Sequence, residues 1–121
     1  MATLLVVDDD NNIRENLCQF FAGTHECHSA DRAEQALAFL DFENYDVILT
    51  DITMPGLDGQ QLLKRVQQTH PETHVIVISG TCTEEEGLSS LALGAFAYVP
   101  KPFRLEEVES AVNRALASKS S

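Results

Sequence analysis

No apolar run in the sequence approaches the roughly 20 residues that a membrane-spanning helix requires. The apolar start, residues 1–7, has no basic leading region and runs directly into three aspartates, so it does not resemble a secretory signal. The chain also lacks internal repeats, low-complexity segments and an interdomain linker. We therefore expect a single cytoplasmic domain, since 121 residues can bury one hydrophobic core but not two.

Basic residues are scarce in this chain. Eight lysines and arginines stand against 19 aspartates and glutamates, which gives a formal net charge of −11. Such a charge is repelled by phosphate backbones and by anionic membranes. We therefore expect neither nucleic acid nor a membrane as a direct partner.

Cysteine is scarce too, and the three residues stand at unrelated spacings, so we expect free thiols rather than a disulfide framework. Cys27 lies close to His25 and His28 in the sequence, a crowding that could suggest a metal site. In an extended segment, however, alternate side chains point to opposite faces, and the three could not converge on one ion. The pattern instead predicts Cys27 in the core and both histidines at the surface.

Three short apolar runs rich in β-branched residues predict strands at 4–7, 47–49 and 75–78, and weaker patterns predict two more at 26–29 and 96–99. Between and after them, apolar residues recur at three- and four-residue steps. These stripes predict helices at 13–21, 33–40, 62–66, 83–93 and 105–116. Strict alternation of strand and helix predicts a doubly wound α/β fold, in which helices cover both faces of a parallel sheet.

Local signals mark the ends of several predicted helices. Three capping pairs place a side-chain oxygen three residues before Glu or Gln, at Asp31 with Glu34, Asp58 with Gln61 and Thr83 with Glu86. Three helices are expected to end at Gly23, at His70-Pro71 and at Gly94.

In a doubly wound sheet, the functional site lies beyond the carboxyl ends of the strands. Four of the five predicted strands deliver a charged or hydroxyl residue to that rim. These residues are Asp8, Asp9 and Asp10 after the first strand, Asp51 after the third, Ser79 after the fourth and Lys101 after the fifth.

Carboxylates gathered at one place repel one another unless a positive charge lies among them. Mg²⁺ removes this repulsion, because it prefers oxygen ligands and commonly takes one or two carboxylates with waters and a phosphate oxygen. Asp9, Asp51 and a backbone carbonyl just past Asp51 could form such a shell. With the metal and the Lys101 ammonium on the phosphoryl oxygens, and Ser79 as a donor, a carboxylate could act as nucleophile and hold an acyl phosphate.

Each of these residues also has an ordinary structural explanation. A lone aspartate after a strand is most often a helix cap, and Asp8 or Asp10 could be one. Ser79 alone would be a turn residue, and Lys101 alone a solvated surface charge. The functional interpretation is favoured because four independent strand ends agree, in an order that the fold can bring together.

Three segments resemble the receiver domains of bacterial-type two-component response regulators: residues 4–10 (LLVVDDD), 46–59 (DVILTDITMPGLDG) and 98–103 (YVPKPF). The middle segment is the most specific of the three, and the resemblance covers nearly the whole chain. It implies a flavodoxin-like fold with five parallel strands in the order 2-1-3-4-5 and five helices. It assigns residues 1–117 to the receiver domain and residues 118–121 to a polar tail or the start of a linker.

By position, the resemblance implies that Asp51 is the phosphoacceptor and Asp9 a direct Mg²⁺ ligand. Asp8 would be an outer ligand that acts through water, and the carbonyl of Thr53 would be the backbone ligand.

The resemblance also implies roles for three residues on the later strands. Ser79 would be the switch hydroxyl and Lys101 the basic residue of the site. Tyr98 takes the place of an aromatic side chain that turns inward on phosphorylation, and the alternative is a half-exposed tyrosine with no switching role.

The function that the resemblance implies is a switch rather than an enzyme. With Mg²⁺ as cofactor, the chain would take a phosphoryl group from a sensor histidine kinase or a phosphotransfer protein. It would assist its own phosphorylation and dephosphorylation and change its surface for an output. That output would be a C-terminal effector domain or a separate protein, with a phosphorylation-dependent homodimer as a further option.

Three other interpretations compete with this one. A haloacid-dehalogenase-type phosphatase would use Asp8 as its nucleophile, but Asn11-Asn12 replace the residues expected after the second aspartate and the segment around Asp51 goes unexplained. A flavodoxin would need a phosphate loop rich in Ser, Thr or Gly after the first strand, and none is present. A receiver-like adaptor that is never phosphorylated would be expected to lack part of the acceptor site, all of which this sequence has.

Overall fold

The structure is a computed structural model of the chain, and it describes residues 2–51, 59–79, 91, 94–100 and 103–120. Within these residues, the elements in chain order are β1 (Thr3–Val7), α1 (Asn11–Phe21), β2 (Glu26–Ala30), α2 (Ala33–Phe42), β3 (Val47–Asp51), α3 (Gly59–Thr69), β4 (His74–Ser79), β5 (Ala97–Pro100) and α4 (Leu105–Ser120). The helix predicted at 83–93 lies outside the described residues except for Leu91, which is helical.

The five strands form one sheet in the order β2-β1-β3-β4-β5, and every neighbouring pair is parallel. This confirms the predicted doubly wound fold and its strand order. Because parallel strands all end at the same edge of the sheet, the carboxyl ends of β1, β3, β4 and β5 lie side by side. Val7 pairs with Thr50 and Asp51 pairs with Ile78, so the central three strands end level with one another.

Consecutive residues of the central strands face opposite sides of the sheet, and both sides are buried. Leu5 and Ile48 pack with residues of α2 and α3 on one side. Leu4 and Leu49 pack with residues of α1 and α4 on the other side. All four side chains are fully buried, as the continuous apolar runs of the sequence predict for a parallel sheet covered by helices.

One predicted helix cap is wrong. The N-cap of α2 is Arg32, which makes no side-chain capping bond, and not Asp31. Instead, the side-chain oxygen Oε1 of Gln35 accepts a hydrogen bond from the backbone N–H of Asp31 at 2.9 Å. Gln35 thus reaches back to the chain before the helix.

Other helix ends agree with the sequence more closely. Asp10 caps α1, because its Oδ1 accepts from the backbone N–H of Asn12 at 2.9 Å. Gly94 has a φ of 111°, the left-handed conformation typical of a glycine that ends a helix. At the carboxyl end, α4 continues through Ser120, so residues 118–120 are helical where a fraying polar tail was expected. Asp58 and Thr83, the other two predicted caps, lie outside the described residues.

None of the helices in the described part of the chain combines the length and apolar character needed to cross a bilayer.

Candidate functional site

Three carboxylates meet where the central strands β1 and β3 end. Asp8 and Asp9 directly follow Val7, the last residue of β1, and Asp51 is the last residue of β3. One carboxylate oxygen from each of the three aspartates lies within 4.8 Å of the other two. We call this group the acidic cluster. It arises because adjacent parallel strands end at one rim, as the sequence analysis expected.

The turn from β1 into α1 holds Asp8 in place. Its backbone N–H donates to the carbonyl of Ala30 at 3.2 Å, and its carboxylate Oδ1 accepts from the backbone N–H of Asp10 at 2.9 Å. Arg14 Nη1 donates to the carbonyl oxygen of Asp8 at 2.6 Å. Asp8 is only 2% exposed, so its backbone and side chain form part of the wall of the acidic cluster.

Asp51 and Asp9 differ in their access to solvent. Asp51 is 8% exposed and sits at the end of a strand, where the Thr50 hydroxyl donates to its carbonyl oxygen at 3.1 Å. Asp9 is exposed. In the described part of the chain, the acidic cluster is therefore buried at Asp8 and Asp51 and exposed to solvent at Asp9.

The donor set of the acidic cluster suits a hard divalent cation. All three groups offer carboxylate oxygens, the ligand type that Mg²⁺ prefers, and two of the three are buried. Burial makes the repulsion among ionised carboxylates stronger, because less water screens it. A bound cation would relieve this repulsion, so the chemistry of the residues present fits a magnesium site.

The remaining predicted site residues lie at the same rim or outside the described part of the chain. The backbone of Ser79 ends β4 and pairs with Pro100, which ends β5. The Ser79 side chain, Thr53 and Lys101 are not among the described features. In the sequence, Lys101 directly follows Pro100, the last residue of β5.

Tyr98 lies within β5, where it pairs with Val77 of β4. Its half-buried side chain lines a surface groove of about 940 Å³ formed together with α4 residues that include Leu105, Glu107 and Arg114. The tyrosine therefore has open space on its outer side.

The structure brings together a second polar group, which sequence reasoning missed. Glu26, His28 and Glu43 each place one potential metal-ligand atom within 4.8 Å of the others. His28 Nδ1 also lies 2.7 Å from the hydroxyl oxygen of Tyr45. The only sequence signal for this group is the two-residue step from Glu26 to His28, which puts both on one face of β2.

The predicted environment of Cys27 and its neighbouring histidines needs correction. Cys27 packs against the core but is half-buried, and His25 and His28 are half-buried rather than at the surface. Both histidines have polar partners. His25 Nδ1 accepts a hydrogen bond from the backbone N–H of Ala2 at 3.0 Å, and His28 Nδ1 lies 2.7 Å from the Tyr45 hydroxyl oxygen. Among the described residues, His28 is grouped with Glu26 and Glu43 rather than with His25 and Cys27.

Tyr45 supplies a prediction about alkaline stability. Burial raises the pKa of its phenol to about 12, and the nearby carboxylates of Glu43 and Glu26 add to the effect. The ordinary pKa of tyrosine is about 10, so the folded protein holds this proton more tightly than the unfolded chain. The stabilisation is complete below pH 10 and disappears as the pH rises through 12, in the direction required by proton linkage.

Urea unfolding at fixed pH between 9 and 12 measures this effect. We expect the wild-type protein to lose more stability over this interval than Tyr45→Phe, which has no phenol to ionise at that position. Tyr98→Phe is the matched control and should follow the wild type. Equal alkaline losses in the wild type and Tyr45→Phe would show that the Tyr45 phenol is not responsible.

Comparison with known proteins identifies the family. The family model described as response regulator receiver domain matches residues 4–113. The DNA-binding transcriptional regulator NtrC of Salmonella typhimurium is 40% identical over 113 residues, which make up 93% of this chain and 24% of that protein. This chain thus spans about a quarter of the length of the curated relatives that it matches.

Solved structures agree with the sequence comparison. The crystal structure of NtrX from Brucella abortus in complex with ADP superposes with a TM-score of 0.93 at 33% identity, over 98% of this chain and 28% of that chain. The receiver domain of the Francisella response regulator 1452 superposes with a TM-score of 0.88 at 33% identity, over 95% of this chain and 96% of that chain. These findings support the receiver interpretation and not the phosphatase alternative with Asp8 as nucleophile. The chain belongs to the response regulator receiver family and is a receiver domain of a two-component response regulator.

Proposed function

We propose that Asp51 accepts a phosphoryl group from a sensor histidine kinase or a phosphotransfer protein, and that Mg²⁺ is the cofactor. The observation that carries this proposal is the convergence of Asp8, Asp9 and Asp51 within 4.8 Å at the ends of two adjacent strands. In a receiver domain, such a group has the charge to bind a cation and a carboxylate placed to react beside it.

Asp51 is better suited than Asp8 to be the nucleophile. Asp8 commits its Oδ1 to the backbone N–H of Asp10 and is almost fully buried. Asp51 ends a central strand, which fixes its backbone position at the rim where a phosphoryl group would approach.

The metal would be held by the carboxylates of Asp9 and Asp51 and by the backbone carbonyl of Thr53, with Asp8 acting through water. When bound, Mg²⁺ neutralises charge on the phosphoryl oxygens, which lets an anionic carboxylate approach an anionic donor. Lys101 would add a second positive charge to these oxygens, and the Ser79 hydroxyl would donate a hydrogen bond to one of them.

Tyr98 would report the phosphorylation state to the surface. The Ser79 hydroxyl moves toward the phosphoryl group and leaves space that the Tyr98 ring fills. The groove between β5 and α4 would then change shape, because Tyr98 forms part of its lining. An unchanged Tyr98 ring in the presence of a phosphoryl mimic would rule out this coupling.

The phosphorylated receiver domain would pass its signal to an output. We assign residues 1–117 to the receiver domain and expect it to act in the cytoplasm, either through an effector domain that follows it or through a separate protein. NtrC, a DNA-binding transcriptional regulator about four times as long as the matched region, supports a following effector.

With a net charge of −11, the receiver domain itself is not expected to contact DNA. A phosphorylation-dependent homodimer of receiver domains would serve such an effector.

Acetyl phosphate is a small donor that tests the acceptor site without a kinase. We expect wild-type protein incubated with acetyl phosphate and Mg²⁺ to gain one phosphoryl group by intact mass, stable in acid and labile in alkali. Peptide mapping should place it on Asp51, and chelation of Mg²⁺ with EDTA should prevent it. A phosphoryl group on another residue, or continuous hydrolysis that depends on Asp8, would contradict the proposal.

A further inference from the structure

Two cysteines lie side by side where α1 packs against β2. The Sγ atoms of Cys18 and Cys27 are 2.9 Å apart, although the residues are nine positions apart in the sequence. A disulfide bond is about 2.0 Å long, so the sulfurs need to approach by only about 1 Å to form one. Both cysteines are free thiols in this structure.

The two thiols are held in position by regular structure. Cys18 lies within α1, and Cys27 lies in β2, paired with Leu4 of the buried strand β1. Both side chains pack against the core cluster on that side of the sheet, yet both are only half-buried. The pair is therefore preorganised and still accessible to a small oxidant.

The two sulfurs differ in acidity. The hydrogen bond from the Cys27 thiol and the positive charge of Arg14 lower the pKa of Cys18, while partial burial opposes them. The pKa of Cys27 is raised, because it gives this hydrogen bond to Cys18 and is itself partly buried. Cys18 is thus the first of the two to become a thiolate, the form that reacts with oxidants, and Cys27 keeps its proton.

We propose that Cys18 and Cys27 form a redox modification site that closes reversibly to an intrachain disulfide when a peroxide oxidises it. The Cys18 thiolate attacks one peroxide oxygen, the O–O bond breaks, and a sulfenic acid and water are formed once a proton is taken up. The Cys27 sulfur then displaces the sulfenic oxygen as a second water, and its thiol proton leaves with that oxygen. In total, two thiols lose two electrons and two protons, and one hydrogen peroxide becomes two waters.

The disulfide would tie α1 to β2. Arg14, one helical turn before Cys18, donates to the carbonyl of Asp8, so the cross-link would secure the same helix that supports the acidic cluster. A disulfide between Cys18 and Cys27 closes the segment between them into a loop, which restricts the unfolded chain. We therefore expect the melting temperature to rise on the order of 5–10 °C. The effect needs no phosphorylation, so it stands independently of the acceptor role of Asp51.

Labelling after oxidation tests the proposal directly. The full chain carrying Cys82→Ser retains only this pair of thiols. We expect it to take two N-ethylmaleimide labels under denaturing conditions when reduced and none after hydrogen peroxide. Its intact mass should fall by two hydrogens, its melting temperature should rise, and dithiothreitol should reverse all three changes.

Two further samples control this experiment. Peptide mapping of the oxidised wild type should find Cys18 joined to Cys27 with Cys82 left as a thiol. Cys18→Ser should show neither the mass loss nor the rise in melting temperature. Full labelling after peroxide, overoxidised single cysteines or a disulfide between two chains would each overturn the proposal.

Discussion

Asp51→Asn is expected to reduce phosphoryl uptake from acetyl phosphate to less than about 1% of the wild-type rate. An amide cannot act as the nucleophile and cannot hold an acyl phosphate. Asp51 ends β3 between β1 and β4, and each of its close carboxylate neighbours, Asp8 and Asp9, comes from the segment that follows β1. For Asp8 or Asp9 to attack the phosphoryl group in place of Asp51, the turn between β1 and α1 would have to shift. The rate of appearance of the acid-stable adduct measures the effect.

Two further variants test whether the loss of phosphoryl uptake is specific to Asp51. Asp9→Asn keeps the acceptor and removes a proposed metal ligand, so it should raise the Mg²⁺ concentration needed by roughly 10- to 100-fold and recover at saturating Mg²⁺. Asp41→Asn makes the same chemical change at an exposed position on α2 and should behave like the wild type. Rapid labelling of folded Asp51→Asn would show that the acceptor lies elsewhere.

Ile48→Ala is expected to cause the largest loss of stability, about 3–4 kcal/mol. Ile48 is fully buried in the central strand, level with Leu5 of β1 and Val75 of β4. Alanine would leave a cavity that two paired neighbouring strands prevent from collapsing. For a domain of this size, the melting temperature should fall on the order of 10–15 °C.

Phe42→Ala is the control for this prediction. Phe42 is 90% exposed at the end of α2, so its removal should change the free energy of unfolding by no more than about 0.5 kcal/mol. Chemical unfolding of both variants measures the difference. If Ile48→Ala cost less than about 1 kcal/mol, the packing of the sheet described above would be incorrect.

The predictable part of the fold is its alternation of strands and helices. Runs such as residues 4–7 and 75–78 are apolar at every position, which suits strands buried on both faces. The N-cap of α2 was mispredicted by one residue, because residue spacing places a helix start only to within about one or two residues.

The acidic cluster could be predicted from the sequence because of the topology of the sheet. Once two strands are taken as parallel neighbours, the residues that follow them must share a rim, and this is where Asp8, Asp9 and Asp51 lie. The contact between His28 and Tyr45 was not accessible, because it joins β2 to the chain just before β3 through side-chain orientation alone.

The order of apolar and polar residues along this chain is enough to determine a parallel sheet with acidic residues at the ends of two strands, because strand burial and strand direction leave few alternatives. The same order says nothing about the contact between Cys18 and Cys27, which we expected only to be free thiols. Their sulfurs meet only because α1 packs against β2 with one particular rotation about its axis. That rotation depends on which side chains fill the space between α1 and the sheet, so only the packed tertiary structure could decide it.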